Sequence, residues 1–443
     1  MSTIPQVAGT LQSVFDAELE EIGQRTGLIQ RVRKFTAVLL LKMVVFTLLR
    51  VPRPKTKDYV TTAAQLDLTI TERAVEKRFT PQLVRFLRTV LQRVLQLAVA
   101  VAPVDTPLLK KFTAVFVGDS TTVLLPDQCA AEFAGSGGTS NSGKAALKIQ
   151  VLWNLCTGTL RRVVIEAGRS SDAKTTAIQE LPPVGSLSIW DLGYFGLERF
   201  RAWTAHGAYW ISRLHPGTVI LDPDGRPWNL YQRLGQHLWE GPLDRLVLLG
   251  SEQRVSSRLI ALRAPHEVAA RRRQKAYEKA QKSGRTPSAA HLEWCTWTIL
   301  VTNCPESLLT WQEVVVLYRS RWQIELLFKL WKSNNCLATH AKDRDVDWQM
   351  AEFWAKLIGV IVQHWLLLTT TWLDHRRSLM QAAKILRDWL SLLMDALGAL
   401  DRLIAKLTQM EAAIASRARV NRRKKKPSWF QLLLNPLLLE YTY

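Results

Sequence analysis

Apolar residues recur at three- and four-residue intervals through the first hundred positions, so residues 1–105 read as a helical region. At Phe112 the period shortens to that of strands. FTAVFVGDS is a β-rich run, followed by KIQVLWNL (Lys148 to Leu155) and TLRRVVIEAG (Thr159 to Gly168), with a turn at Cys156 to Thr159; the three predict an antiparallel meander. Asp172 to Leu181 then reads as a helix, SLSIWDLGYF as a strand from Ser186, Leu197 to His206 as a helix, and AYWISRL as another strand. A meander followed by alternating helix and strand predicts a mixed sheet flanked by helices, an α/β architecture, over residues 106–213. Residues 214–303 are irregular and read as a β-rich insertion, with turns such as Pro223 to Pro227, a basic helix from Glu267 to Lys282, and WCTWTILVTN returning the chain to the core. Within 304–345, Val314 to Lys332 predicts one helix packed on most sides. Residues 346–443 are helical again, with Trp348, Trp354, Trp365, Trp372 and Trp389 spaced as core residues.

Charge narrows the class of partner. Among 443 residues, 59 Lys and Arg face 38 Asp and Glu, a formal charge of +21 that points to a polyanion. The two most apolar runs, Thr36 to Leu49 and Leu357 to Leu373, are short and interrupted by Lys42 or by Gln363 and His364, so neither is expected to span a membrane. The first residues carry acids and no basic leader, which predicts a cytoplasmic protein. The five cysteines are scattered with no C-x2-C pair, so free, mostly buried thiols are expected rather than disulfides or structural zinc. Within Lys57 to Phe79 two short helices flank Leu66 to Thr69. Thr69 and Glu72 have capping-box spacing, and Arg73, Lys77 and Arg78 would project from the second helix toward DNA. The Gly/Ser-rich segment from Ala131 to Ala146 lacks a phosphate-binding motif and reads as a surface loop, and Arg417 to Ser428 reads as a solvated basic stretch suited to phosphate.

The chemistry is carried by acids at strand ends. Asp119 follows the apolar run Phe112 to Val117, and Asp191 ends Leu187 to Trp190; each could equally cap a turn. On the predicted helix, Tyr318, Arg321, Glu325 and Lys332 fall near one stripe, although Arg321 and Glu325 also have the spacing of an ordinary intrahelical pair. Three acids converging from two strands and a helix could hold two Mg²⁺ ions, with Mn²⁺ able to replace them, for phosphodiester chemistry.

The spacing Y-x2-R-x3-E-x6-K, at Tyr318, Arg321, Glu325 and Lys332, resembles the signature of bacterial insertion-sequence transposases of the DDE type that cut and paste through a DNA hairpin. The resemblance implies a ribonuclease-H-like core, Asp119, Asp191 and Glu325 as catalytic metal ligands, and a β-rich insertion before the Glu helix. It also implies cleavage at transposon inverted-repeat ends, strand transfer into target DNA, and a homodimer that pairs two ends at the nucleoid. Tyr318, Arg321 and Lys332 would then touch DNA phosphates, and a flipped base would stack on an indole, Trp297 ahead of Trp294 and Trp311. Leu192 stands where the family commonly has Arg after the second Asp. The competing readings are a stand-alone ribonuclease-H-like nuclease or resolvase, and a non-catalytic DNA-binding regulator.

Overall fold

The structure, a computed structural model, describes residues 3–442 except 32–34, 138–142, 237–240, 340, 342, 371, 373–375 and 421–426. Six helices come first: α1 (Thr3–Val14), α2 (Glu18–Arg25), α3 (Ala37–Arg50), α4 (Thr56–Ala64), α5 (Glu72–Glu76) and α6 (Pro81–Gln96). The meander follows as β1 (Val115–Leu124), β2 (Ala146–Asn154) and β3 (Leu160–Ala167), then β4 (Leu187–Trp190), α7 (Leu197–Ala205) and β5 (Tyr209–Arg213). The next segment contains β6 (Ile220–Leu221), α8 (Leu230–Gln236), β7 (Leu243–Leu249), β8 (Val255–Arg263), α9 (His266–Gln281), α10 (Ala289–Trp294) and β9 (Trp297–Thr302). The chain closes with α11 (Trp311–Arg319), α12 (Trp322–Lys329), α13 (Val346–Leu368), α14 (Leu379–Ala396), α15 (Leu400–Arg417) and α16 (Trp429–Leu434).

Among the described residues nine strands join one sheet in the order β3-β2-β1-β4-β5-β9-β8-β7-β6. β1 to β3 are antiparallel neighbours, while β4 is parallel to β1 and β5 to β4. That arrangement of the first five strands is the ribonuclease-H-like one. The strands of residues 214–303 extend the same sheet, because β9 pairs antiparallel with β5. Alternation along the central strands sends side chains to two apolar layers. Leu187 and Ile189 of β4 join a core shared with helices from both ends of the chain, and Trp190 joins a second core with Phe200, Trp203, Trp210 and Trp297. The two apolar runs that are too short to span a membrane become α3 and part of α13, which pack on one another where Gly359 meets Leu49. α13 is long and apolar enough to cross a membrane, yet every residue of its most apolar window is buried by the rest of the chain. Cys156, Cys295 and Cys304 are buried, Cys129 and Cys336 are half-buried, and all five are free.

Three local expectations are corrected. Asp172 to Leu181 is not a helix but two short 3-10 turns, Asp172–Lys174 and Thr176–Ile178. Glu166 on β3 accepts from the Thr175 hydroxyl (2.9 Å) and Thr176 N–H (3.2 Å), which fixes the segment across the strand, and Pro182 and Pro183 block its extension. The second helix of the N-terminal pair is capped by Thr71, whose hydroxyl accepts from Ala74 N–H, rather than by Thr69. The single helix from Val314 is divided. Its backbone tightens at Ser320 and Arg321, where Gln323 and Ile324 bond back three residues instead of four, and it widens to a π turn over Leu330–Asn334.

One buried group makes stability depend on pH. His364 on α13 donates through Nε2 to the Gly158 carbonyl (2.7 Å), and burial pushes its pKa down to about 4. The folded chain therefore refuses a proton that the unfolded chain takes up near pH 6.5, so stability falls as pH drops from 6.5 toward 4, by about 3 kcal/mol in all. Thermal unfolding at pH 7 and pH 4.5 should show a larger loss for the wild type than for His364→Gln, which keeps a donor and loses the titration.

Candidate active site

Because β1 and β4 run parallel in register, Gly118 opposite Trp190, β4 ends beside the middle of β1, which runs on to Leu124 paired with β2. Asp119 is the next residue on β1, on the face of Val115 and Val117, and Asp191 is the residue after β4, opening the 3-10 turn Leu192–Tyr194. Gly118 is required here. A Cβ at this position would lie 1.9 Å from the Trp190 ring, since the indole lies across the bare strand directly before Asp191. Gly118→Ala should cost about 1–3 kcal/mol or more by overpacking, read as a lowered Tm together with a displaced Asp191.

α12 brings the third carboxylate over β1. Arg321, one residue before the helix, gathers all three acids: Nη1 lies 3.0 Å from Asp119 Oδ2, Nη2 2.7 Å from Glu325 Oε1, and Nε 3.9 Å from Asp191 Oδ1. The Tyr318 hydroxyl reaches Asp191 Oδ1 at 3.5 Å. The cluster is open to solvent on one side, with Asp191 40% and Glu325 34% exposed against 18% for Asp119. Burial raises the pKa of Asp119 most. The Ser120 N–H and Arg321 pull it back, Asp191 and Glu325 push it up again, and it settles at about 6. Burial opposes the Arg321 charge, but the surrounding acids outweigh it and hold its pKa above the ordinary value. Tyr318 is held well up by burial and by the Asp191 charge. Three carboxylates facing one guanidinium leave an excess of negative charge at an accessible edge.

The other residues expected at the site are distributed unevenly. Lys332 sits in the π turn, half-buried and with its pKa lowered by burial, and it makes no ion pair or hydrogen bond among the described residues. Trp297, expected as a base platform, is a core residue: 2% exposed, its Nε1 donates to Glu293 Oε1 (3.0 Å). Trp294 and Trp311 are half-buried, and the strongly exposed indole near the acids is Trp322, 58% exposed at the start of α12. Arg73 projects to solvent from α5, which has only five residues, and Lys77 from the residue that ends it, while Arg78 lies over the Phe35 ring at 4.6 Å. Half of the basic stretch from Arg417 to Ser428, and part of the Gly/Ser-rich loop, lie outside the described residues.

The Transposase DDE domain family model matches residues 110–358, a span that contains every element of this edge. The chain belongs to that family. The chain is 26% identical over 446 residues to a transposase for insertion sequence element IS231F from Bacillus thuringiensis subsp. israelensis, covering 94% of this chain and 92% of the relative. It is also 26% identical to the IS231B transposase from Bacillus thuringiensis subsp. berliner, covering 71% and 70%, and 25% identical to the IS1151 transposase from Clostridium perfringens, covering 59% of each. Among solved structures there is a weak likeness to a piggyBac transposase in a synaptic complex with hairpin DNA, at a TM-score of 0.45 and 9% identity, covering 98% of this chain and 89% of that one. The transposase is therefore an enzyme that cleaves DNA and transfers strands.

Divalent cations are the usual cofactor of such enzymes, and the donor set suits them: three carboxylates, no thiol or imidazole, and too little positive charge. Among the described residues no group of three or more acids, His or Cys is gathered as a ready-made metal site. The guanidinium of Arg321 stands between the oxygens.

A second polar cluster braces the transposase edge from the opposite face of β1, and the linear pattern gave no sign of it. Asp172 Oδ1 accepts from Ser120 Oγ (3.1 Å), Lys148 Nζ (3.1 Å) and Gln150 Nε2 (2.9 Å). Gln150 accepts from the Tyr194 hydroxyl (2.5 Å), and Arg199 donates to the carbonyls of Tyr194 (2.5 Å) and Ala173 (2.7 Å). These bonds tie the turn after Asp191 to the strand that carries Asp119. Asp172, the first residue of the segment expected as a helix, instead positions this turn.

Proposed function

We propose that Asp119, Asp191 and Glu325 are the catalytic acids of a hairpin-forming insertion-sequence transposase acting at inverted-repeat ends. The observation that carries this reading is the gathering of three carboxylates, from two parallel strands and a distant helix, around a single guanidinium at a solvent-open sheet edge. Two Mg²⁺ or Mn²⁺ ions held by these oxygens would supply Lewis-acid stabilisation of the attacking and leaving oxygens.

The residues of the chain do the rest. The carboxylates would hold the ions and orient the attacking water, while Arg321, Lys332 and Tyr318 would position the scissile phosphate; addition of the water at phosphorus releases the 3′ oxygen of the transposon strand as a hydroxyl. That hydroxyl attacks the phosphodiester joining the opposite strand to the flank, forming a new phosphodiester as a hairpin and releasing the flanking strand with a free 3′ hydroxyl. Water then reopens the hairpin, and the same 3′ hydroxyl attacks a target phosphodiester. Arg321 offers a forked guanidinium that suits phosphate as well as carboxylate, Lys332 an unpaired ammonium, and Tyr318 a hydroxyl donor. Trp322, exposed next to Arg321, is better placed than Trp297 to stack on a displaced base. Arg73 and Lys77 are offered to the same DNA from the N-terminal helices. Synapsis of two ends calls for a homodimer, and the reading places the protein in the cytoplasm at the nucleoid.

The test is a strand-specifically labelled inverted-repeat end incubated with protein and Mg²⁺. Hairpin followed by strand transfer supports the reading. Nicking without either would point to a plain nuclease, and binding without cleavage to a regulator; both overturn it.

A further inference from the structure

The insertion carries a basic helix whose placement gives it a use. β5 is parallel to β4, β9 is antiparallel to β5, and β8 is antiparallel to β9 with Arg263 opposite Trp297. The carboxyl end of β8 therefore lies at the same sheet edge as Asp191, and α9 begins three residues beyond it. With strands about 4.8 Å apart, β8 stands roughly 14–19 Å along that edge from β4 and β1.

α9 has two distinct faces. Val268, Arg272, Ala276 and Ala280 form its packed side, with Arg272 donating to Trp297 O (2.8 Å) and Thr298 Oγ1 (3.2 Å), so the helix is fastened to β9. About 100° round the axis, Arg271, Lys275, Lys279 and Lys282 follow one another at helical spacing, all exposed and without an ion pair among the described residues. Glu267, four residues before Arg271, and Glu278, four before Lys282, lie on the same side, so this face carries four cations against two carboxylates. The stripe is about 16 Å long, with a cation roughly every 6 Å. A predominantly basic helix face that starts from the catalytic edge suits a phosphate backbone in charge.

We infer that α9 is a donor-DNA arm: its Arg271–Lys282 stripe lies along the phosphates of the duplex whose end occupies the carboxylate site, about 4–6 base pairs from the cleaved bond at roughly 3.4 Å per base pair. The donor duplex is the occupant because it fills the site from the first cut onward. The inference rests on the transposase reading of that site and adds to it the contact that extends the footprint.

The experiment uses the full chain with Arg271, Lys275 and Lys279 all changed to Gln, and measures binding to a duplex inverted-repeat end across a salt series, with hydroxyl-radical footprinting. The slope of log affinity against log salt should become shallower by about 2–3, close to one unit per lost contact, and protection 4–6 base pairs from the cut should vanish. An unchanged slope and footprint overturn the inference. So does a variant that binds ends normally but captures target poorly, which would assign the stripe to target DNA. Failure of the wild-type chain to cleave would instead overturn the reading of the carboxylates, so the two failures are separable.

Discussion

Glu325→Gln is expected to abolish cleavage of an inverted-repeat end, lowering the rate by about a thousandfold or more, while DNA affinity changes by less than about threefold. The substitution keeps the shape of the side chain and removes one anionic oxygen, and metal-assisted stabilisation of a phosphoryl transition state supplies several kcal/mol. It leaves the basic residues that meet phosphate untouched. A gel-shift titration beside a cleavage time course separates the two quantities. Substantial residual cleavage would mean that Glu325 is only the i, i+4 partner of Arg321, a role its 2.7 Å contact also satisfies.

The second large effect concerns Arg321. In the free protein its guanidinium stands where cations would sit, touching Asp119, Glu325 and, more distantly, Asp191. Partly exposed ion pairs of this kind are each worth up to about 1 kcal/mol. Arg321→Gln should therefore strengthen Mn²⁺ binding to the DNA-free protein by about tenfold, while lowering the Tm in the absence of metal, because the acids then repel one another without a counter-charge. Mn²⁺ titration followed by electron paramagnetic resonance, with thermal unfolding in parallel, reads both. In the wild type, DNA that draws Arg321 onto a phosphate should raise Mn²⁺ affinity, and by linkage Mn²⁺ should raise DNA affinity by the same factor. Unchanged or weaker Mn²⁺ binding in Arg321→Gln would show that the guanidinium supports the cation site rather than occupying it.

What the linear sequence disclosed, and what it hid, follows from the range of the forces involved. The strands of the meander were legible because alternation and turn residues act over a few positions, and Asp191 follows the end of β4 as expected for the same reason; Asp119, expected after an apolar strand, lies inside β1, which pairing with β2 carries on to Leu124. The segment from Asp172 was misread as a helix because its structure is set by Glu166 and by Asp172 bonding to Ser120, Lys148 and Gln150 on neighbouring strands. Partners that distant leave no periodic trace. Trp297, expected as the platform, is buried, and the exposed Trp322 was not among the expected indoles, since an indole on a β-strand and one on a helix look alike until the sheet has acquired its second apolar layer. The division at Ser320 was equally hidden: Tyr318, Arg321 and Glu325 keep helical spacing in sequence, while the tightened turn aims them at one point. The basic helix in the insertion was visible as a charged run, but only the strand directions reveal that it leaves from the catalytic edge.

The most direct measurement is anomalous diffraction from the transposase bound to an inverted-repeat end in Mn²⁺. Metal peaks bounded by oxygens of Asp119, Asp191 and Glu325, with the Arg321 guanidinium turned onto a DNA phosphate, are the expected result. Peaks elsewhere, with Arg321 still spanning the same three carboxylates beside bound DNA, would contradict it.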